Sequence, residues 1–333
     1  MKYRSCKYIQ GGITFRPDGI TICNKLWGAK RYEQVNLSYE ENFYEKFKEL
    51  RNNLIKNCID GILPHDGCSA CLYLEDKEWE DEPKYTDIEI SHWLHCNAAC
   101  CYCSSLPQTK GKMDKYFKKN SPSVQLFPVI KRLIKEDMIH PQANICITGG
   151  ELAMLKEFPS IMKLFLNQKD SNYSFYFQTN GIKYEPLLSK ALNKGIGTLI
   201  IISLDAGTRE MYKLMKKRDK YQTVLNNLAR YLRDAKDDRK NRVVSKYIIV
   251  PNVNDNKEEI DKWIADCKRI GLKTLHPSME FCSYVQKPHD YIEKQGELYQ
   301  YMKEKIVENG FEMITYDFLE EIVKNKGFQL TKN

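Results

Sequence analysis

His92-Trp93-Leu94-His95-Cys96-Asn97-Ala98-Ala99-Cys100-Cys101-Tyr102-Cys103 decides how the rest of the chain is read. Cys96, Cys100 and Cys103 stand in it as C-x3-C-x2-C. Three thiolates at this spacing can hold three corners of a cubane [4Fe–4S] cluster and leave the fourth iron without a protein ligand. An open iron can bind a small molecule and pass it an electron, whereas a fully ligated cluster only relays electrons. The same run offers a second chemistry, a Cys3His zinc site made of His95, Cys96, Cys100 and Cys103. The neighbouring sequence separates the two. The run follows an alternating strand, Tyr85 to Ile90, and Gly149-Gly150-Glu151 ends another strand about one strand–helix unit later. A zinc site gives no reason for a glycine pair there. Cys101 breaks the spacing and reads as a packed, small apolar thiol.

Composition bounds the remainder. A chain of 333 residues has room for about two domains, and 42% hydrophobic with 29% charged residues is ordinary for a soluble protein. The apolar run Leu199-Ile200-Ile201-Ile202 is far too short to span a bilayer, and Met1 to Cys6 leads into no apolar signal segment. A cytoplasmic location without a membrane partner is expected. Twelve cysteines in such a chain point to metal rather than disulfides. The net charge of +8 suggests an anionic partner, yet the densest basic run, Lys216-Lys217-Arg218, is short, and Arg233 to Lys240 mixes signs as a solvated helix end does. With no basic stripe interleaved with aromatics, nucleic acid is not an expected partner.

From about residue 85, strands alternate with helices. Tyr85 to Ile90, Asn144 to Thr148, Tyr173 to Gln178, Thr198 to Leu204, Val243 to Val250 and Lys273 to His276 read as strands. Helical faces recur between them: Phe127, Ile130, Leu133 and Ile134; Val224, Leu225, Leu228 and Leu232; Ile260, Trp263, Ile264 and Cys267, closed by Gly271. Six such units imply an α/β fold with a parallel sheet, because parallel strands need helical crossovers. The cysteine run, Gly149 to Glu151 and Ser203 to Asp205 all fall at the C-terminal ends of strands, where barrel chemistry sits. The first 84 residues are organised differently. Ile13 to Arg16 and Ile20 to Cys23 flank Pro17-Asp18-Gly19 as a hairpin; Ser38 with Glu41 makes a capping box; a helix follows with Phe43, Phe47, Leu50 and Leu54 on its apolar face. Cys6 precedes the hairpin, Cys23 ends it, and Cys68 and Cys71 form C-x2-C; these four thiols suit either a second cluster or a zinc ribbon-like site. After Ile292 come two further helical patterns and no cysteine.

The cysteine run with Tyr102 before its last cysteine, Gly149-Gly150-Glu151 and Ser203-Leu204-Asp205 together resemble the radical S-adenosylmethionine (SAM) enzymes. The resemblance implies a partial (βα)6 barrel over residues 85–285 and a C-terminal helical extension over 286–333. It implies a [4Fe–4S] cluster on Cys96, Cys100 and Cys103, whose open iron chelates SAM and cleaves it to methionine and a 5′-deoxyadenosyl radical. It further implies cofactor contacts from Gly149, Gly150, Glu151, Asn180, Ser203 and Asp205, with Glu151 fixing its turn, and an external one-electron donor of the flavodoxin or ferredoxin type. Lys246, inside a strand, either faces the reaction chamber or solvent. Residues 1–84 resemble a twitch domain, a shortened SPASM domain, here a small α+β body N-terminal to the barrel. That likeness, which includes Leu50-Arg51, implies an auxiliary [4Fe–4S] cluster on Cys6, Cys23, Cys68 and Cys71; Cys58 falls outside the pattern. Full ligation of that cluster favours an oxidoreductase-type outcome, the oxidation or cross-linking of a peptide or protein side chain. Two readings compete. One is epimerisation or dehydrogenation of a sugar or aminocyclitol, an epimerase needing a hydrogen donor such as Cys282, Cys146 or Cys101. The other is a non-catalytic zinc-binding scaffold.

Overall fold

The computed structural model describes residues 1–17, 19–23, 36–37, 42–64, 68–69, 71, 73–81, 83–103, 124–280 and 289–316. The chain divides into two compact units. Met1–His95, Lys115–Tyr176 and Lys194–Thr198 make the first; Cys96–Asp114, Phe177–Asn193 and Leu199–Asn333 make the second.

The first unit opens with β1 (Lys2–Cys6), α1 (Lys7–Gly11), β2 (Gly12–Arg16), β3 (Gly19–Thr21), β4 (Asn36–Leu37), α2 (Phe43–Ile59), β5 (Leu74–Glu78) and β6 (Tyr85–Ile90). The predicted hairpin is present, with Thr14 opposite Thr21 and Phe15 opposite Ile20. Its other edge differs from expectation. β2 runs parallel to β6, Gly12 opposite Asp87 and Phe15 opposite Ile90, so the hairpin adds to the sheet that holds the first barrel strand. The reason is apolar alternation on both sides: Ile13, Phe15, Ile88 and Ile90 are all buried, so each strand covers the other. The sequence also misplaces the buried face of α2. Tyr44, Phe47, Arg51, Leu54 and Cys58 point inward while Leu50 is half-exposed. Arg51 is buried because its guanidinium donates to the Gln10 and Pro83 carbonyls and lies 4.5 Å from the centre of the Tyr85 ring. The capping residues Ser38 and Glu41 lie outside the described residues.

The unit continues through α3 (Phe127–Lys135), β7 (Ile139–Ile147), α4 (Phe158–Leu166) and the start of β8 (Ser174–Thr179). β7 is parallel to β6 and begins five residues before the predicted Asn144. Glu157 joins two helices by accepting from the backbone N–H groups of Leu126 and Phe127 at the start of α3 and from His92. Burial would raise its pKa, but these donors outweigh that and hold it below the usual carboxylate range.

The second unit holds the end of β8, α5 (Pro186–Lys194), β9 (Leu199–Ser203), α6 (Arg209–Lys216), α7 (Tyr221–Asp234), β10 (Val243–Ile249), α8 (Lys257–Arg269), β11 (Thr274–Met279), α9 (His289–Glu308) and β12 (Glu312–Met313). β9, β10, β11 and β12 are successive parallel neighbours. The α/β fold with its mostly parallel sheet is that of a partial barrel. The apolar faces of α7 and α8 are buried as their spacing predicts, and Gly271, with φ +83°, closes α8. Trp263 of α8 donates to Ser245 and packs on Tyr247, so alternate residues of β10 face the helices and Lys246 faces the other way. Two sequence expectations change here. β11 runs on through Pro277, Ser278 and Met279, and the segment after residue 286 is not helical throughout, since β12 adds to the sheet. The second helical pattern, within residues 317–333, lies outside the described residues. Among the described residues no helix is long and apolar enough to cross a membrane.

Candidate active site

Residues 91–100 have no regular secondary structure, so their backbone groups must be fixed by partners elsewhere. In the second unit, the Ala99 N–H donates to the Lys216 carbonyl (3.0 Å) and the Cys101 N–H to the Met215 carbonyl (2.8 Å), laying the loop along the last turn of α6. Arg218 Nε donates to the Asn97 carbonyl (2.9 Å). Cys103 N–H to Cys100 C=O, 3.1 Å, closes the C-x2-C turn. Cys101 points away from this turn and packs its sulfur 3.8 Å from that of Met215, as its broken spacing suggests.

Beneath the loop lies a buried network. Lys216 and Asp205 are fully buried and ion-paired, and Tyr102 donates its hydroxyl hydrogen to Asp205 Oδ2 while accepting from Lys216 Nζ at 2.8 Å. The other Asp205 oxygen accepts from the Ile248 N–H (2.8 Å). Burial alone would lower the Lys216 pKa, but the Asp205 carboxylate outweighs it and holds the ammonium above the ordinary lysine value. Burial, followed by Asp205, pushes the Tyr102 phenol well up, so its proton stays. Asp205 takes a left-handed backbone, φ +57°, fixed by Asn254 Nδ2 on its carbonyl (2.9 Å). The sequence placed Asp205 against the cofactor; in the structure its side chain is enclosed and holds Tyr102. Lys216 drew no notice in the sequence beyond its short basic run, because a lysine three turns from any motif carries no signal of its partner.

Asn180 bonds both within its own turn and to the cysteine loop. Its Oδ1 accepts from the Ile182 N–H (3.0 Å) as a turn residue, and its Nδ2 donates to Asn97 Oδ1 (2.6 Å) and toward Cys96 Sγ (3.5 Å). The Ala98 N–H also points at Cys96 Sγ, at 3.4 Å. Ser203 is half-buried at the end of β9, beside Lys246 of β10.

In the first unit, Gly149 and Gly150 approach Ser91 to His95 closely. Gly149 has φ +111°, and a Cβ on Gly150 would lie 2.4 Å from the His95 carbonyl oxygen. The Gly150 N–H bonds to the Trp93 carbonyl (2.9 Å) and the Glu151 N–H to the His95 carbonyl (2.8 Å), immediately before Cys96. Glu151 is buried and its carboxylate accepts from the Ala153 N–H, so it fixes its turn.

The donor set suits a [4Fe–4S] cluster. Cys96, Cys100 and Cys103 are half-buried, which leaves them accessible, and two N–H donors aim at the Cys96 sulfur, as hydrogen bonds to cluster thiolates do. Among the described residues no three His, Cys, Asp or Glu side chains converge closely enough to hold a single metal ion. The N-terminal thiols are nonetheless near one another. Burial, with a smaller contribution from the charges of Cys23 and Cys71, pushes the Cys6 thiol up to about 11. The Cys71 N–H donates to the Cys68 carbonyl (3.1 Å), and Cys6 is register partner of Leu74, just past Cys71. Cys58 is buried in α2. Cys282 lies outside the described residues.

The chain is 26% identical to a probable dual-specificity RNA methyltransferase RlmN of Finegoldia magna, over 92% of this chain and 84% of that one. It is 27% identical to the GTP 3′,8-cyclase of Vibrio atlanticus over 48% of this chain and 45% of the cyclase. Among solved structures, Streptococcus suis SuiB bound to S-adenosylmethionine aligns with a TM-score of 0.52 at 13% identity, covering 84% of this chain and 57% of SuiB. SuiB bound to its precursor peptide SuiA aligns at 0.50 and 12% identity, covering 95% and 73%. The chain thus spans less than two thirds of the cyclase and of SAM-bound SuiB. The profile of the radical SAM superfamily matches residues 90–264, more than half of the sequence. With that match over the loop, the glycine turn and the parallel strands, the chain belongs to the radical SAM superfamily, whose members use a [4Fe–4S] cluster and SAM.

Proposed function

We propose that this radical SAM enzyme oxidises or cross-links a peptide or protein side chain by a two-electron route. The relatives' names span methyl transfer to RNA and cyclisation of GTP, so membership of the superfamily does not choose the reaction. The observation that carries the choice is the nearness of Cys6, Cys23 and Cys71, with Cys68 one turn from Cys71. Three neighbouring thiols with Cys68 one turn away would supply four ligands to an auxiliary, fully ligated cluster, suited to accept an electron rather than bind substrate. SuiB, which shares the fold, is seen with a precursor peptide, and that substrate class is carried over here.

Cys96, Cys100 and Cys103 would hold the SAM cluster, and Cys6, Cys23, Cys68 and Cys71 the auxiliary one. When bound, the cluster and SAM supply a 5′-deoxyadenosyl radical that abstracts hydrogen from the substrate. The chain's residues set the stage for it. Gly149 and Gly150 open backbone for the methionyl part of SAM, Asn180 and Ser203 offer polar contacts, and Lys216, Asp205 and Tyr102 keep the loop in register. An external flavodoxin- or ferredoxin-type protein would deliver the first electron. Mass spectrometry tests the reaction class: oxidation consumes one SAM per product and leaves the product two hydrogens lighter. A product mass unchanged in ordinary water, together with one deuteron incorporated in deuterated water that is lost in Cys282→Ala, would establish epimerisation instead.

A further inference from the structure

On the face of the second unit's sheet turned away from α8, two charged or polar side chains are buried without, among the described residues, the partners their chemistry requires. Lys246 of β10 and His276 of β11 are register neighbours, 7% and 0% exposed. Among the described residues the Lys246 ammonium forms no ion pair; it lies 5.2 Å from the centre of the Tyr316 ring. A buried ammonium is costly unless an anion answers it. His276 Nδ1 is 2.8 Å from the Ile314 carbonyl oxygen, so Nδ1 carries the hydrogen and Nε2 is an acceptor. That Nε2 is buried and, among the described residues, has no hydrogen-bond partner. Tyr316 stands edge-on to the His276 ring at 4.6 Å, and its hydroxyl accepts from Gln178 at 3.3 Å. Burial, then the Lys246 charge, lowers the His276 pKa to about 3, so the imidazole is neutral and Nε2 stays an acceptor at physiological pH.

We propose that Lys246 and His276, walled by Tyr316, form a substrate subsite that binds a carboxylate carrying a neighbouring N–H or O–H group. The carboxylate pairs with Lys246 Nζ and the neighbouring donor bonds to His276 Nε2. One cation balances one negative charge, which favours a carboxylate over a phosphate ester of nearly two charges. The subsite rests on the reading of the protein as an enzyme acting on peptides, and it narrows that substrate to one presenting an acidic residue or a C-terminal carboxylate.

N-acetylglycine, a carboxylate beside an amide N–H, is the probe. It is titrated calorimetrically into anaerobically reconstituted, SAM-loaded protein, alongside N-acetylglycinamide and glycerol 2-phosphate. Binding of N-acetylglycine at least tenfold tighter than of the other two is expected. Lys246→Met should weaken it about tenfold or more and His276→Phe about threefold to tenfold, the range for a charge pair and a single hydrogen bond, while Lys246→Arg keeps it within about threefold. Equal binding of the uncharged amide, tighter binding of the phosphate, or loss of probe binding on loading with SAM overturns the proposal. The wild-type discrimination among probes decides it even if Lys246→Met does not fold. Cleavage of SAM by the wild type is assayed separately, so a failure of the catalytic reading is told apart from a failure of the subsite.

Discussion

The two sets of cysteines are assembled by opposite means. Cys96, Cys100 and Cys103 sit within one short loop lacking regular structure, and its position is imposed by Lys216, Met215, Asn180 and the buried Asp205. Cys6, Cys23, Cys68 and Cys71 are dispersed in sequence beside paired strands: β1 pairs with β5, setting Cys6 opposite Leu74, and β2 pairs with β3, which ends two residues before Cys23. A compact motif has nearness without order, so the fold must supply bracing. A dispersed set has its order from the sheet and needs only side chains of the right kind. The first should therefore be sensitive to distant buried polar residues, and the second to its own ligands.

Removing either set gives the largest contrast. Cys96→Ala with Cys100→Ala and Cys103→Ala should lower iron from about eight to about four atoms per chain and abolish SAM cleavage. Cys68→Ala with Cys71→Ala should halve iron likewise but keep formation of 5′-deoxyadenosine while product formation stops. Iron analysis with chromatography of both products checks this pair. Loss of zinc rather than iron from the second variant would make the N-terminal site structural.

Bracing is tested next. Lys216→Met strands the buried Asp205 carboxylate and should lower unfolding free energy by about 3–5 kcal/mol, measured in urea. Adding Asp205→Asn should recover part of that loss; no recovery would mean that the ion pair is not its source. Tyr102→Phe should cost about 1–2 kcal/mol, because Lys216 and Asp205 remain paired when one hydroxyl goes.

The last effect lies outside both sets and shows only as pH falls. The His276 pKa falls from 6.5 to about 3 on folding. Between those values the unfolded chain binds a proton that the folded chain does not, so stability declines as pH drops from 6.5 toward 3. The slope approaches about 1.4 kcal/mol per pH unit. His276→Phe should flatten this slope in urea midpoints taken at pH 6.5 and 5; an unchanged slope would move its origin elsewhere.

What was legible in the sequence follows the same division. Strands and the α7 and α8 faces could be read because their signal is local periodicity in Ile, Val, Leu and Trp. The glycine turn was legible because only a missing Cβ fits against His95. The inward place of Arg51 on α2 was not legible, since its partners Gln10, Pro83 and Tyr85 come from other segments. The pairing of β2 with β6 was missed for a related reason: both strands alternate, and alternation does not say which neighbour they take. Lys216 and His276 were invisible as site residues because their meaning depends wholly on what surrounds them.

The network of Tyr102, Asp205 and Lys216 also limits how the loop can be transplanted. Tyr102 sits within the motif, but the lysine that receives it is 114 residues away along the chain. A designer who grafts residues 92–103 onto another scaffold carries over every ligand and leaves behind the counterpart that seats them. Such a chimera would place three sulfurs on a loop with no fixed shape. The functional cassette is therefore discontinuous, and a successful graft would move the last turn of α6 and the end of β9 together with the cysteines.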